Sequence, residues 1–171
     1  KKAKIFTKEL RDLSLYSLLT HSSGLPSWQN FWISCELEPF TGTRDRLVDR
    51  LNESSKKLKQ NPVFCYSDVG FLLLGLCLEI KYNKPLNELF SSYLQEELKL
   101  SPAELFYASK EKKQKEIFVP TSYCPLRERL LEGEVHDENC AFLEGTTGHA
   151  GLFGTRKGIL AYLKSFWNQE E

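Results

Sequence analysis

Residues Phe64 to Tyr82 read FCYSDVGFLLLGLCLEIKY and contain the longest apolar run of the chain. The short piece Val63–Tyr66, which overlaps the start of this stretch, is extended in character. Ser67 and Asp68 are residue types that cap helices. The run that follows is apolar on almost every side, which is typical of a helix buried at the centre of its layer. We therefore predict a central buried helix from about Ser67 to Tyr82. Its expected core residues are Leu72, Leu73, Leu76 and Ile80.

Helical patterns continue on the N-terminal side of this segment. A short helix is predicted over Ser14–Leu19, with Ser14 as its N-cap and with Gly24 and Pro26 preventing its continuation. A longer helix with a thin apolar seam is predicted over Thr43–Lys59. The lysines at its C-terminal end suit the helix dipole.

Two more helices are predicted on the C-terminal side. Pro85 begins one of them, and Thr155 can cap the last one. The last helix would carry an apolar face of Ile159, Leu160, Leu163, Phe166 and Trp167. Between these helices, Ser109–Glu116 is predicted to be an exposed loop and Glu132–Gly154 to be mostly turns. The sequence therefore indicates a mostly helical layer with little strand.

The composition is that of a soluble globular domain. The chain has 171 residues, enough for one domain with a real core. Its 23 lysines and arginines balance its 23 aspartates and glutamates, so charge gives no sign of a nucleic-acid partner. The longest apolar run, Val69–Leu78, is too short to cross a bilayer, and the polar start Lys1–Lys4 does not resemble a signal peptide. The absence of methionine favours a processed chain, an excised domain or a fragment.

The potential metal ligands give only a weak signal. No two of the five cysteines are spaced as C-x-x-C, which argues against a disulfide scaffold and against a zinc ribbon. Residues His136–Asn139 are consecutive on a turn and cannot all face one ion. We expect Asp137 and Asn139 to bond neighbouring backbone instead, and we expect no metal and no other cofactor.

Two pairs, Ser54 with Lys57 and Ser109 with Lys112, match the Ser-x-x-Lys spacing of some acyl-transfer enzymes. Both lie in charged stretches where nothing would desolvate the lysine, so we treat both as chance matches. Tyr66 is a better candidate, because its hydroxyl would be held beside a helix N-terminus, where a phenolate is favoured. From the residues alone, the alternative is a tyrosine that packs and makes one hydrogen bond.

Four segments of the chain form an ordered set of motifs. The first segment is Leu18–Pro26, LLTHSSGLP, and the second is Phe64–Gly75, a Tyr-Ser-Asp sequence with an apolar helix after it. The others are Gly133–Ala141 and Gly148–Thr155. In this order they resemble the serine β-lactamase-related hydrolases, which include class C β-lactamases, D-Ala-D-Ala carboxypeptidases of the penicillin-binding type and related esterases. The second segment is similar to that family's Tyr-x-Asn or Tyr-Ser-Asp motif. The resemblance implies an α+β, β-lactamase/transpeptidase-like parent fold, of which this chain is the mostly helical part.

The resemblance also indicates which motifs are missing. In the family, a Ser-x-x-Lys nucleophile helix precedes the segment matched by Leu18–Pro26, and a Lys/His-Thr/Ser-Gly strand follows the position of Thr155. Residues 1–171 contain neither motif at those places. We interpret the chain as a single-domain fragment whose nucleophile helix and third-motif strand lie outside it, inactive by itself. A noncatalytic relative that serves as a binding or scaffolding module is the alternative.

The resemblance implies a mechanism through an acyl-enzyme, with β-lactams, D-Ala-D-Ala peptides or esters as open substrate choices. Tyr66 would be catalytic and would pass protons between nucleophile, leaving group and water, which requires nearby cations because a phenol ordinarily has a pKa of about 10. Asp68 would bind substrate and contact the nucleophile's lysine, although a carboxylate accepts and cannot donate. His21 and His149 are expected to be structural. The expected partner is a small-molecule or peptidoglycan-peptide substrate, and relatives favour a location outside the cytoplasm.

Overall fold

The computed structural model describes residues 5–31, 43–59, 63–107 and 118–167. The chain forms two compact units. The first unit comprises Lys1–Tyr82 together with Thr147–His149, and the second comprises Asn83–Thr146 together with Ala150–Glu171. The assignment of residues 1–171 to a single domain stays a prediction.

In its described residues, the first unit contains helices joined by loops and no strand. Its helices are α1 (Lys8–Arg11), α2 (Leu15–Leu19), α3 (Thr43–Ser55) and α4 (Asp68–Tyr82), with α1 packed on α3 and α2 packed on α4. Helix α3 ends at Ser55, earlier than the predicted Lys59. The reason is local, because the Lys56 and Lys57 N–H groups bond the carbonyls of Glu53 and Ser54 in a tighter turn, after which the Lys59 N–H bonds the Gly24 carbonyl.

Helix α4 begins as predicted, with Ser67 as its N-cap. The Ser67 hydroxyl accepts a hydrogen bond from the Gly70 N–H at 3.1 Å and donates one to the Pro26 carbonyl at 2.7 Å. Asp68, the first helical residue, donates its N–H to the Ser27 carbonyl at 2.9 Å. The start of the buried helix is therefore tied to the chain that follows α2.

The burial of α4 agrees with the prediction at three of four positions. Leu72, Leu73 and Leu76 are buried, but Ile80 is only half-buried, so its prediction as a core residue is wrong. Glu79 lies on the buried side in its place and forms an ion pair with Arg44 of α3. The carboxylate is tolerated there because it has a cationic partner, which a purely apolar reading of the helix does not include.

The second unit combines helices with short strands. Its elements are α5 (Leu86–Glu96), β1 (Leu105–Tyr107), β2 (Tyr123–Cys124), β3 (Arg129–Leu130), α6 (Glu138–Phe142), β4 (Leu152–Gly154) and α7 (Arg156–Trp167). Strand β1 pairs antiparallel with β4, with Phe106 opposite Phe153, and β2 pairs antiparallel with β3. The prediction of little strand is thus confirmed for the described residues, where every strand has two or three residues.

The region Glu132–Gly154, predicted to be mostly turns, also contains helix α6 and strand β4. Asp137 caps α6, because its Oδ1 atom accepts the Cys140 N–H at 2.7 Å. This bond confirms the prediction that Asp137 bonds neighbouring backbone. The predicted loop Ser109–Glu116 lies outside the described residues.

The predicted apolar face of α7 forms on a helix, but it is exposed. Its residues are Ile159, Leu160, Leu163, Phe166 and Trp167, and each of them is more than two fifths accessible to solvent. On its other side, Gly158 is buried against the Glu104 carbonyl. Within the four described ranges, no helix combines the length and the apolar character needed to cross a membrane.

Substitutions along α4 test its burial. Leu73 is 2% exposed. The substitution Leu73→Ala should lower the free energy of unfolding by about 2–5 kcal/mol, because the lost contacts leave a cavity. Leu78 on the same helix is 44% exposed, so Leu78→Ala should change that free energy by about 0.5 kcal/mol or less. Urea denaturation of both variants measures the difference. Equal losses would contradict the orientation given for α4.

The double role of the Ser67 hydroxyl can be tested against another N-cap. Ser67→Ala should cost about 1–3 kcal/mol of unfolding free energy, because it leaves the buried Gly70 N–H and the partly buried Pro26 carbonyl without the hydroxyl. Ser14 caps the exposed start of α2 by accepting the Ser17 N–H at 3.0 Å, so Ser14→Ala should cost about 0.5–1 kcal/mol. The same denaturation measurement applies. A Ser14 loss as large as that of Ser67 would show that the bond to Pro26 adds no stability.

Candidate active site

The first two motif segments meet in the first unit. We call Thr20–Ser27 the histidine loop and Cys65–Asp68 the tyrosine turn. His21 accepts a hydrogen bond on each side of Tyr66: its carbonyl accepts the Cys65 N–H at 2.9 Å, and its Nδ1 atom accepts the Ser67 N–H at 3.1 Å. Together with the Ser67 and Asp68 bonds to the loop carbonyls, these contacts fix the backbone around Tyr66.

The backbone on both sides of Tyr66 is held by hydrogen bonds, whereas the residue itself is largely exposed to solvent. The residue is 59% exposed, and its ring lies 4.6 Å from the His21 ring, centroid to centroid, with the planes tilted by 37°. The same imidazole contacts Phe71 of α4 at 5.1 Å and meets Phe64 edge-on at 6.0 Å. The phenol therefore lies against a fixed aromatic surface while its residue remains accessible to solvent.

The histidine loop folds as the C-terminal cap of α2. The His21 N–H bonds the Leu18 carbonyl at 3.3 Å and the Ser22 N–H bonds the Ser17 carbonyl at 2.8 Å, the pair of bonds that defines a Schellman motif. His21 has the left-handed conformation that the motif requires, with φ of 55°, and Gly24 has φ of 79°. The sequence analysis assigned His21 a structural role but did not place its ring against Tyr66. The signal that could have found it is a histidine at a position that usually holds glycine.

Asp68 lies at the same helix end as Tyr66, two residues further along the chain. It is half-buried, its N–H is bonded to Ser27, and it belongs to the first turn of α4, where a carboxylate complements the helix dipole. Tyr66 and Asp68 are thus brought to one end of a buried helix, as the motif predicted.

Ser54 and Lys57, which the sequence analysis treats as a chance match, have different surroundings. Ser54 is fully buried, and its hydroxyl is within 2.9 Å of the Arg50 carbonyl and 2.5 Å of the Gln29 Oε1 atom. Lys57 is exposed. The Ser54 hydroxyl is therefore held inside the unit, whereas Ser109 and Lys112 lie outside the described residues.

Part of the fourth motif segment also belongs to the first unit. A Cβ atom at Gly148 would collide with the Phe71 carbonyl and would come within 3.0 Å of the Gly75 N–H nitrogen, so only glycine fits against α4 here. The Thr147 hydroxyl and the His149 Nδ1 atom are 2.9 Å apart. These contacts support the structural role predicted for His149.

The described residues contain no group of three or more His, Cys, Asp or Glu side chains placed to hold a metal ion. In the predicted turn, the carbonyls of Val135 and His136 instead accept hydrogen bonds from the Arg127 guanidinium, at 2.9 and 2.6 Å. Cys77 on α4 is half-buried, and burial raises the pKa of its thiol, which fits its interpretation as a small apolar residue.

Two curated relatives match nearly the whole chain. It is 27% identical over 169 residues to the N-acetylmuramyl-L-alanine amidase of Bacillus subtilis (strain 168), a match that covers 92% of this chain and 38% of the relative. It is 24% identical over 170 residues to a putative D-alanyl-D-alanine carboxypeptidase of Escherichia coli (strain K12), covering 91% of this chain and 39% of the relative. The chain therefore spans about two fifths of the length of these relatives.

Solved structures share the fold. The octameric penicillin-binding protein homologue from Pyrococcus abyssi has a TM-score of 0.63 at 22% identity, over 93% of this chain and 35% of that chain. The penicillin binding protein from Bacillus halodurans has a TM-score of 0.63 at 17% identity, over 99% of this chain and 55% of that chain. These similarities confirm the predicted fold class: the chain is a mostly helical part of an α+β, β-lactamase-like fold.

The family itself is shown by a direct match. The family model described as Beta-lactamase matches residues 5–170, which include all four motif segments. The resemblance inferred from those segments is thereby confirmed, and the chain belongs to the Beta-lactamase family.

Proposed function

We propose that the protein is a serine hydrolase of the β-lactamase-like type, in which Tyr66 transfers protons during acyl-enzyme chemistry. The observation that carries the proposal is the combination of a fixed backbone and an exposed side chain at Tyr66. A tyrosine that only fills a core would be buried. Here the N–H groups of both neighbouring residues are bonded to His21, while Tyr66 itself is 59% exposed. Such an arrangement favours a group that must meet a substrate in a defined orientation.

The proposed reaction has two steps. A serine hydroxyl attacks the substrate carbonyl, the bond to the leaving amine or alkoxide breaks, and the serine proton reaches the leaving group through the Tyr66 hydroxyl. Water then cleaves the serine ester, and its proton returns along the same route. The serine itself is proposed to belong to a Ser-x-x-Lys motif outside residues 1–171. The enclosed hydroxyl of Ser54 supports this part of the proposal.

Asp68 is proposed to bind substrate beside Tyr66. Its carboxylate accepts hydrogen bonds and cannot donate them, so its partners must be an amide N–H of the substrate or the ammonium group of the nucleophile's lysine. Its position in the first turn of α4 supports this role, because the anchored backbone gives the side chain a fixed origin.

The names of the curated relatives guide the choice of substrate. One is called an N-acetylmuramyl-L-alanine amidase and the other a putative D-alanyl-D-alanine carboxypeptidase, and both names refer to amide substrates. We therefore propose a peptide ending in D-Ala-D-Ala as the first substrate to test, followed by a chromogenic cephalosporin and a p-nitrophenyl ester. If the full-length protein binds such a peptide without turning over any of these compounds, the noncatalytic binding module is the better description.

The role of Tyr66 predicts a large kinetic effect with a small structural one. In the full-length protein, Tyr66→Phe should lower the acylation rate by about 10²–10⁴-fold, because it removes the proton-transferring hydroxyl and keeps the ring. Burst and steady-state kinetics with an activated ester measure the rate, and a thermal melt measures the fold. Tyr16 on α2 is an exposed tyrosine of the same unit, so Tyr16→Phe is the control and should leave both unchanged. A Tyr66→Phe enzyme with normal kinetics would show that the motif assignment is wrong.

The role of Asp68 predicts a smaller effect unless the carboxylate pairs with the nucleophile's lysine. Asp68→Asn keeps the shape and removes the charge, so it should lower kcat/KM by less than Tyr66→Phe if Asp68 only positions substrate. If Asp68 also holds the lysine, the two losses should be comparable, because the lysine pKa shifts as well. Glu88→Gln, at the exposed first turn of α5, controls for the general loss of a helix-start charge. Since the family's motif also occurs as Tyr-x-Asn, the decisive variant is Asp68→Ala, and unaltered kinetics in Asp68→Ala would remove Asp68 from the site.

A further inference from the structure

We propose that His21 is a positioning residue for Tyr66, in that its imidazole holds the phenol ring and the following amide in the orientation that proton transfer needs. The catalytic part of this inference rests on the proposed function. The geometric part stands on the contacts of His21 alone. Three features of His21 support this role: its backbone conformation, its hydrogen bond and its ring contact.

The backbone of His21 is in a conformation that glycine adopts more easily. With φ of 55° at the C′ position of the Schellman motif, the residue carries a Cβ atom where most helices place glycine or asparagine. The capping bonds of the motif use only backbone atoms, so they do not require an imidazole. The side chain must therefore be explained by something other than the end of α2.

The imidazole supplies an acceptor in a fixed place. The Ser67 N–H is a donor, so the His21 Nδ1 atom, 3.1 Å away, must be the unprotonated nitrogen, and the proton of the neutral ring must be on Nε2. Since the His21 carbonyl takes the Cys65 N–H, one residue controls the chain on both sides of Tyr66. The direction in which the Tyr66 side chain leaves the backbone is set by these two bonds.

The imidazole also supports the phenol. Its ring lies 4.6 Å from the Tyr66 ring and 5.1 Å from Phe71, which belongs to the buried helix α4. The Tyr66 residue is 59% exposed, and the contact with the His21 ring adds a restriction on the rotation of its side chain. The His21 ring therefore connects the side chain of Tyr66, which must remain accessible, to a residue of the buried helix α4.

The design uses two substitutions at position 21 that the backbone accepts. His21→Gly removes the side chain and suits the left-handed conformation, so the cap of α2 should persist. His21→Asn also suits that conformation, and its side-chain oxygen can replace Nδ1 as the acceptor for the Ser67 N–H, but it lacks the ring. His149→Asn serves as the control, because it changes another hydrogen-bonded histidine of the same unit.

The kinetic arm is a double-mutant cycle in the full-length protein. His21→Gly should lower kcat for an activated ester by about 10–100-fold with KM changed by less than about threefold, because a misplaced catalytic group is slow even when substrate binds normally. In the Tyr66→Phe background the same substitution should have no further effect, because the hydroxyl that His21 positions is already gone. An equal loss in both backgrounds would overturn the proposal in favour of a general structural role.

The spectroscopic arm does not depend on turnover. NMR of the protein should show His21 with its proton on Nε2, and the Tyr66 ring should become more mobile by ¹³C relaxation in both His21→Gly and His21→Asn. The Ser67 amide should lose protection from hydrogen exchange in His21→Gly and keep it in His21→Asn. His149→Asn should change none of these signals. Unchanged mobility of the Tyr66 ring would overturn the inference. Normal kinetics in Tyr66→Phe alone would instead overturn the proposed function, leaving the positioning of the ring to be judged by NMR.

Discussion

The attachment of the tyrosine turn to the histidine loop is the constraint on which the candidate site depends. His21 accepts the N–H groups of Cys65 and Ser67, one with its carbonyl and one with its ring. Helix α4 has many buried residues, so this attachment holds an exposed residue, Tyr66, at the end of a buried helix. Removing the attachment would release the amides on both sides of Tyr66 from His21.

The chain that follows the end of α2 supplies hydrogen-bond acceptors to the start of α4. A helix begins with N–H groups that have no partner inside it and ends with carbonyls in the same state. The end of α2 is closed by its own Schellman bonds, which turns the chain so that the carbonyls of Pro26 and Ser27 face the start of α4. These carbonyls then accept the Ser67 hydroxyl and the Asp68 N–H. The site is therefore a by-product of satisfying backbone groups, and its residues occupy positions that the fold already needs.

The success of prediction from sequence depended on how local each signal was. The extent of α4, the cap at Ser67 and the bond from Asp137 to neighbouring backbone were predictable, because each rests on neighbouring residues, whereas the helix α6 that Asp137 caps was not predicted. The burial of Glu79 was not, because its partner Arg44 lies on another helix far away in the chain. Within the candidate site, Tyr66 and Asp68 were predicted from the motif, and their roles stay predictions. The contact between His21 and Tyr66 joins two motif segments that are far apart in the sequence. The hydrophobic pattern of either segment says nothing about the other, and only the order of the motifs along the chain indicated that they are connected.

The place of Gly148 in the first unit has a consequence for biosynthesis. Residues 147–149 complete a unit whose other residues precede position 83, and the second unit occupies almost all of the sequence between them. Contacts this distant in the chain carry a large closure entropy and form late. While the chain emerges from a ribosome, α4 must wait with its Phe71 and Gly75 backbone uncovered until Gly148 has been synthesised. Part of this apolar helix is therefore left uncovered while the segment that follows Tyr82 is synthesised as far as Gly148.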